Sequence, residues 1–148
     1  MRISSKGRYA LAAMALMAER FQSGEFTTVI SISEHFGISK IYLEQVFSLM
    51  KRAGLVASAK GAQGGYQLTR KPSEINVFEV LHAAELSLFE QAEATVAEKS
   101  PEVDRALSEF VFTPLDEAVR ASLETVTLDK LAAEVEKNKG GGAIMFYI

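Results

Sequence analysis

The sequence predicts a mainly α-helical chain with one small β-hairpin: a winged helix-turn-helix followed by a long helix suited to pairing. Three observations carry this. Gly37 can take positive φ at the end of a short helix, with Ile38 plugging the turn and Ser39 placed to cap a second helix running to about Ala53. In that second helix Leu43, Val46, Phe47 and Met50 recur at i, i+3, i+4 and i+7, which is one helical face. Gly54 then ends it, and two short apolar pieces, residues 55–57 and 66–68, flank a turn containing Gly61, Gly64 and Gly65, which reads as a hairpin. The third observation is the apolar stripe Val103, Leu107, Phe110 and Val111, continued by Leu115, Ala118, Val119 and Leu123.

Taken in order, Ser4 and Ser5 precede a first helix over about residues 6–21, with an Ala-rich interior; Ser23 and Gly24 end it. Thr27 and Thr28 begin a short extended or capping segment. The next helix spans about residues 31–36 and carries small Ser33 four residues before Gly37, so two helices can cross closely there. After the hairpin, Lys71 and Pro72 break the chain. Asn76 and Glu79 have the spacing of a capping box that opens a helix through about Ala84, with Phe78 and Leu81 on one side.

Residues 85–100 mix Leu86, Leu88 and Phe89 with several glutamates and read as either a loop or a frayed helix extension. Pro101 suits the first turn of a long helix, and Pro114 inside that pattern should kink or split it near Phe110. The stripe on this helix needs cover. A partner chain is the expected one, and packing onto the chain's own first helix is the alternative. Thr127 caps a last helix expected over residues 128–137, ended by the glycines at 140–142. The segment 143–148, AIMFYI, is apolar after that glycine linker. The implied organisation is residues 1–84 as the winged helix-turn-helix, 85–139 as connector, long helix and last helix, and 140–148 as linker and tail.

Composition bounds the function. The 148 residues are enough for one domain with an appendage, and 48% are hydrophobic, so a core can form. No apolar run reaches the roughly 18 residues of a membrane span, and the first twenty residues lack a signal-peptide core, so a cytoplasmic protein is expected. With no cysteine, disulfides, thiolate metal sites and thiol redox chemistry are excluded. The net charge of −3 hides an asymmetry: residues 1–72 hold ten Lys and Arg against four Asp and Glu, residues 73–148 six against fifteen. A basic half containing the helix-turn-helix fits phosphate contact, and the acidic half should lie away from DNA.

Several stretches together resemble the Rrf-type family of winged-helix transcriptional regulators (the IscR, NsrR and CymR group): MRISSKGRYAL, GISKIYLEQVF, AGLVASAKGAQGGYQL and ETVTLDKL. The resemblance implies a homodimeric regulator of double-stranded DNA with a palindromic operator, in which the long helix is the dimer element and Val103, Leu107, Phe110, Leu115, Val119 and Leu123 face the partner. Members that sense through an iron–sulfur cluster carry a cysteine trio after the wing; this chain has none, and His82 alone cannot hold a cluster. No cofactor is therefore expected, and the closest likeness is to the cysteine-metabolism repressors of the family. That likeness implies a second partner, O-acetylserine sulfhydrylase (cysteine synthase), whose active-site cleft would accept the tail residues Met145, Phe146, Tyr147 and Ile148.

The candidate DNA contacts follow. Ser39, Lys40, Ile41, Glu44 and Gln45 lie on the first two turns of the recognition helix; Gln can pair with adenine and Glu can accept from the cytosine amino group. By the family pattern Ser39, Ile41 and Glu44 face bases, and Ile41, standing where relatives often have a polar residue, suits a thymine methyl. Lys60 begins the wing, where it would reach the minor groove or a phosphate; Gly61, Gln63, Gly64 and Gly65 complete that loop and let the backbone approach closely. Lys6, Tyr9 and Tyr42 are candidate phosphate contacts, Tyr9 being the one best suited to the core instead. An enzyme is not supported: two distant histidines and no nucleophile or phosphate-loop motif leave nothing to assign. A protein–protein adaptor acting through the acidic half and tail is the competing class, against which the intact YLEQ and Lys60 stand.

Overall fold

A computed structural model describes residues 2–59, 64–90 and 95–146. In chain order it has α1 (Ser5–Glu19), α2 (Val29–Phe36), α3 (Lys40–Arg52), β1 (Val56–Ser58), β2 (Tyr66–Leu68), α4 (Val77–Ala84), α5 (Pro101–Leu107), a π-helical stretch (Ser108–Phe112), α6 (Thr113–Glu124) and α7 (Leu128–Phe146). Short 3-10 turns occupy Phe21–Ser23, Pro72–Glu74 and Leu86–Phe89. The chain is thus mainly helical with one antiparallel hairpin, as the sequence predicts, and its register pairs Val56 with Leu68, Ala57 with Gln67 and Ser58 with Tyr66.

The core is built around α1. Ala10 and Ala13, with Met14 and Met17, are buried, and α1 packs against α3, α4 and α7. Alanines bring the helix axes close, and the methionines fill the remaining gaps. From α3 come Leu43, Val46, Phe47 and Met50, all buried, and Phe47 stacks on Tyr66 of β2 with ring centroids 4.6 Å apart. Leu128, fully buried, joins the same core, so α7 starts inside it. Its entry is fixed by backbone bonds: Leu128 N–H donates to Ile75 O at 2.9 Å and Val77 N–H to Val126 O at 2.8 Å.

Local chemistry explains the boundaries. Ser4, Thr28, Ser39 and Asn76 are the N-caps of α1, α2, α3 and α4, each accepting a backbone N–H through its side chain. Asn76 and Glu79 form the full capping box. Because Thr28 Oγ1 accepts Ser31 N–H at 3.1 Å, α2 begins at Val29, two residues before the expected start. The first strand begins one residue later than expected because Leu55 N–H is used to close α3, donating to Met50 O at 3.0 Å after Gly54 at φ +76°.

Pro114 disturbs the helix where expected, without ending it. It has no N–H to offer Phe110 O, and directly before it the ladder loosens into the π-helical stretch, with Thr113 N–H reaching Ser108 O. The helix nevertheless continues from Pro101 to Glu124. Residues 85–100, undecided from sequence, hold the 3-10 turn Leu86–Phe89 and turns over 95–99, with 91–94 outside the described residues.

One expectation is corrected. The last helix does not stop at Lys137 before a glycine linker; α7 runs through Gly140, Gly141 and Gly142 to Phe146. Each glycine costs about 1 kcal/mol relative to alanine, which weakens a helix without breaking it, and no proline follows. Ahead of the glycines, α7 is clamped to α1: Lys139 Nζ lies 3.0 Å from Glu19 Oε2 and 2.9 Å from Glu136 Oε1. These contacts raise the Lys139 pKa, the Glu136 bond being the larger cause.

Phe47→Ala should cost about 3–5 kcal/mol in urea unfolding, since it leaves a cavity under the hairpin. Asn76→Ala, which removes only a cap, should cost about 1 kcal/mol.

Candidate nucleic-acid interface

The turn between α2 and α3 is held by a compact set of bonds. Gly37 sits at φ +67°, and both Gly37 N–H (2.8 Å) and Ile38 N–H (3.2 Å) donate to Ser33 O. Ser33 Oγ returns a bond to Ile38 O at 2.5 Å. A residue without a hydroxyl at 33 would lose this last bond, which helps fix the direction in which α3 leaves the turn.

With Leu43, Val46, Phe47 and Met50 buried, helical geometry turns Ile41, Glu44, Gln45 and Ser48 outward, and all four are exposed. Ile41 is the extreme case, 71% exposed. It is an apolar side chain open to water between polar residues at the start of the helix. Ser39 is the cap, with Oγ 3.5 Å from Tyr42 N. Lys40 and Glu44 form an i,i+4 pair at 3.8 Å, both about half exposed. Such a pair contributes little to stability, so Glu44 is free to exchange Lys40 for another donor. Ser48 was not singled out from sequence, although its position four residues after Glu44 puts it on the same face.

Lys6, 35 residues away from Ile41 in sequence, joins this face. A shallow groove of about 460 Å³ is lined by Lys6, Ile41, Glu44, Gln45, Ser48 and Leu49. The first turn of α1 therefore stands beside the exposed face of α3. Tyr9 and Tyr42 are half-buried and meet edge to face at 5.3 Å, which joins the same two helices.

At the hairpin, Gly64 and Gly65 have φ of +60° and +120°. Gly65 is required twice over, because a β-carbon there would also lie 3.1 Å from Thr27 O and from Phe26 Cβ. Thr27 pairs with Tyr66 through reciprocal backbone bonds of 2.9 and 2.8 Å, an isolated antiparallel bridge that joins a third chain segment to the wing base. Lys51 Nζ donates to Ser58 Oγ at 2.9 Å and ties α3 to β1. Lys60, Gly61 and Gln63 lie outside the described residues.

The stripe on the long helix is bare. No residue of α5, the π-helical stretch or α6 is buried. Val103, Phe110 and Leu115 are exposed, Phe110 at 82%, and Leu107, Val119 and Leu123 are half-buried. The helix leans instead on α4, where the Arg120 guanidinium sits 4.6 Å from the centroid of Phe78 and His82 stacks on the same ring. His82 is exposed on α4, as a surface histidine would be. At the tail, Met145 and Phe146 fall on the last turn of α7, whereas Tyr147 and Ile148 lie outside the described residues.

Comparison with known proteins agrees with this arrangement. A model of the Rrf2 family, described as iron-dependent transcriptional regulator, matches residues 3–134. The HTH-type transcriptional regulator IscR of Pectobacterium atrosepticum is 38% identical over 136 residues, covering 92% of this chain and 82% of that protein. Among solved structures, CymR, the global cysteine regulator of B. subtilis, superposes with a TM-score of 0.70 at 31% identity, covering 90% of this chain and 98% of that one. T. potens IscR gives a TM-score of 0.71 at 30% identity, covering 93% and 90%. The residues here do not fit a thiolate-held iron centre. There is no cysteine in the chain, and the described residues bring together no group of three His, Asp or Glu that could hold a metal ion. No helix among them is long and apolar enough to cross a membrane.

Proposed function

The chain belongs to the Rrf2 family of transcriptional regulators, and from that premise we propose that it is a homodimeric repressor of cysteine and sulfur metabolism genes that reads a palindromic operator without an iron–sulfur cluster. It is a DNA-binding regulator and not an enzyme. The observation that carries the reading is the exposed face of α3, Ile41, Glu44, Gln45 and Ser48, set beside Lys6 and backed by a fully buried opposite face.

In this reading Ser39, Lys40, Ile41, Glu44 and Gln45 enter the major groove. Glu44 accepts from a cytosine amino group, Gln45 pairs with adenine and Ile41 rests against a thymine methyl. Lys6, Tyr9 and Tyr42 hold phosphates, and the wing with Lys60, Gly61, Gln63, Gly64 and Gly65 reaches the adjacent minor groove or backbone. Two copies pair through Val103, Leu107, Phe110, Leu115, Val119 and Leu123. That pairing would cover the bare stripe and set two recognition helices about one DNA turn apart, roughly 34 Å.

The regulatory partner is O-acetylserine sulfhydrylase (cysteine synthase). Support comes from the likeness to CymR and from the tail sequence Met145, Phe146, Tyr147, Ile148. A cleft built for an amino-acid substrate has donors for an α-carboxylate, and a peptide with the sequence AIMFYI and a free carboxylate would use them. Entry requires the last turns of α7 to open. The three glycines make this easy, since each lowers helix stability by about 1 kcal/mol. Free substrate would compete for the same donors, linking sulfur supply to operator occupancy.

Three measurements test these assignments. Glu44→Ala should relax base choice in a gel shift, whereas Lys60→Ala should weaken operator and random duplexes alike and flatten the salt dependence by about one unit or less. Unchanged binding for both variants would remove α3 and the wing from the interface. In sedimentation at micromolar concentration the chain should be a dimer, and Leu115→Asp should shift it toward monomer by burying an unpaired charge. A peptide ending AIMFYI should bind cysteine synthase and lose affinity on C-terminal amidation; equal affinity for the two forms would end the carboxylate-capture idea.

A further inference from the structure

Glu85 is the only acidic residue that is buried among the described residues, at 7% exposure, and no cation pairs with it there. It sits at a junction. Its N–H donates to Leu81 O at 2.6 Å, ending α4, and its carbonyl accepts Leu88 N–H at 3.2 Å, opening the turn that leads into the connector. Its carboxylate reaches 81 residues back along the chain. Oε1 accepts Ser4 N–H at 2.7 Å and also the Ser4 hydroxyl.

Ser4 is the N-cap of α1. Its own Oγ accepts Gly7 N–H at 3.3 Å, and its carbonyl accepts Arg8 N–H at 3.0 Å. A buried carboxylate at a helix N-terminus gains from the unpaired amides and from the helix dipole. The site is also shaped for it. A β-carbon at position 7 would lie 2.8 Å from Glu85 Cγ and 2.9 Å from Ile3 Cγ2, so only glycine leaves room for the side chain.

The turn that Glu85 holds is the one carrying Lys6, which lines the groove along Ile41, Glu44, Gln45 and Ser48. We propose that Glu85 is a positioning residue for DNA binding: through Ser4 it seats the first turn of α1 and thereby holds Lys6 at the phosphate beside the recognition helix. Because Glu85 is also the first residue beyond α4, a shift of the connector moves the carboxylate and loosens that grip without touching α3. The assignment rests on the DNA-binding reading above and adds to it a route from the connector to the phosphate contact.

The test combines two readouts on the whole 148-residue chain, with Glu85→Ala, Glu85→Gln and Ser4→Ala as variants. In the free protein, amide exchange at Gly7 and Arg8 should speed up about tenfold or more in Glu85→Ala and change little in Glu85→Gln, which can still accept from Ser4. On a duplex selected from a random pool by the wild-type chain, Glu85→Ala should bind about tenfold more weakly. Its salt dependence should be flatter by about one unit per protomer, with base preference retained. In a Lys6→Ala background the same change should have less than about a twofold effect, because the contact it acts through is already gone.

Additive losses from Glu85→Ala and Lys6→Ala would overturn the positioning role. So would unchanged exchange at Gly7 and Arg8, or a lowered Tm with an unchanged salt slope. If the wild-type chain selects no duplex, the DNA-binding reading fails and the positioning role with it. If it does select one, and Glu44→Ala relaxes base choice while Glu85→Ala is silent, the positioning role alone is lost.

Discussion

The close packing of α1 beneath three other helices is the constraint on which the molecule depends. Ala10 and Ala13 present almost no side chain, so α3, α4 and α7 can all approach, and Met14 and Met17 adapt to what remains. Close-packed interiors tolerate little change in volume, so this contact fixes the relative position of its neighbours to within small shifts. Two consequences matter for function. The exit angle of α3 from its turn is held from below by α1 and from the side by the wing through Phe47 and Tyr66. The start of α1, with Lys6, is held at a defined distance from the exposed face of α3.

The interface is therefore a product of what is buried elsewhere. Leu43, Val46, Phe47 and Met50 have no alternative to the core, and their burial turns Ile41, Glu44, Gln45 and Ser48 to solvent. The same packing sets a cation from a second helix, Lys6, beside that polar face. The charge is divided along the chain in the same way: the basic half contains α1 and α3 with this face, and the acidic half contains α4, the long helix and α7.

The long helix shows the opposite condition. It spans Pro101 to Glu124 with no buried residue, leaning on α4 through Arg120 and Phe78 while Phe110 stands 82% exposed. Its π-helical stretch comes from a proline that cannot complete the ladder, and the extra residue per turn there rotates the stripe after Phe110 relative to the part before it.

Much of this was legible in the sequence. The caps at Ser4, Ser39 and Asn76, the turn at Gly37, the buried face of α3 and the irregularity before Pro114 all follow from residue types at fixed local spacing, because they depend on chemistry within one or two turns. The outward positions of α3, Ile41, Glu44 and Gln45, were legible for the same reason. Local pattern failed where the deciding contact was distant. The glycines at 140–142 read as a stop, yet α7 continues through them after a clamp from Lys139 to Glu19, 120 residues apart. Glu85 read as one glutamate among several in an undecided stretch, and only the fold brings it onto Ser4. Lys6 was named from sequence, but its place beside Ile41 and Glu44 was settled by how α1 packs. The sequence by itself determined the elements and the outward face of the recognition helix, since helical periodicity is local. Tertiary structure decided which distant side chains share a site, because a contact across 80 or 120 residues depends on the packing of the whole core.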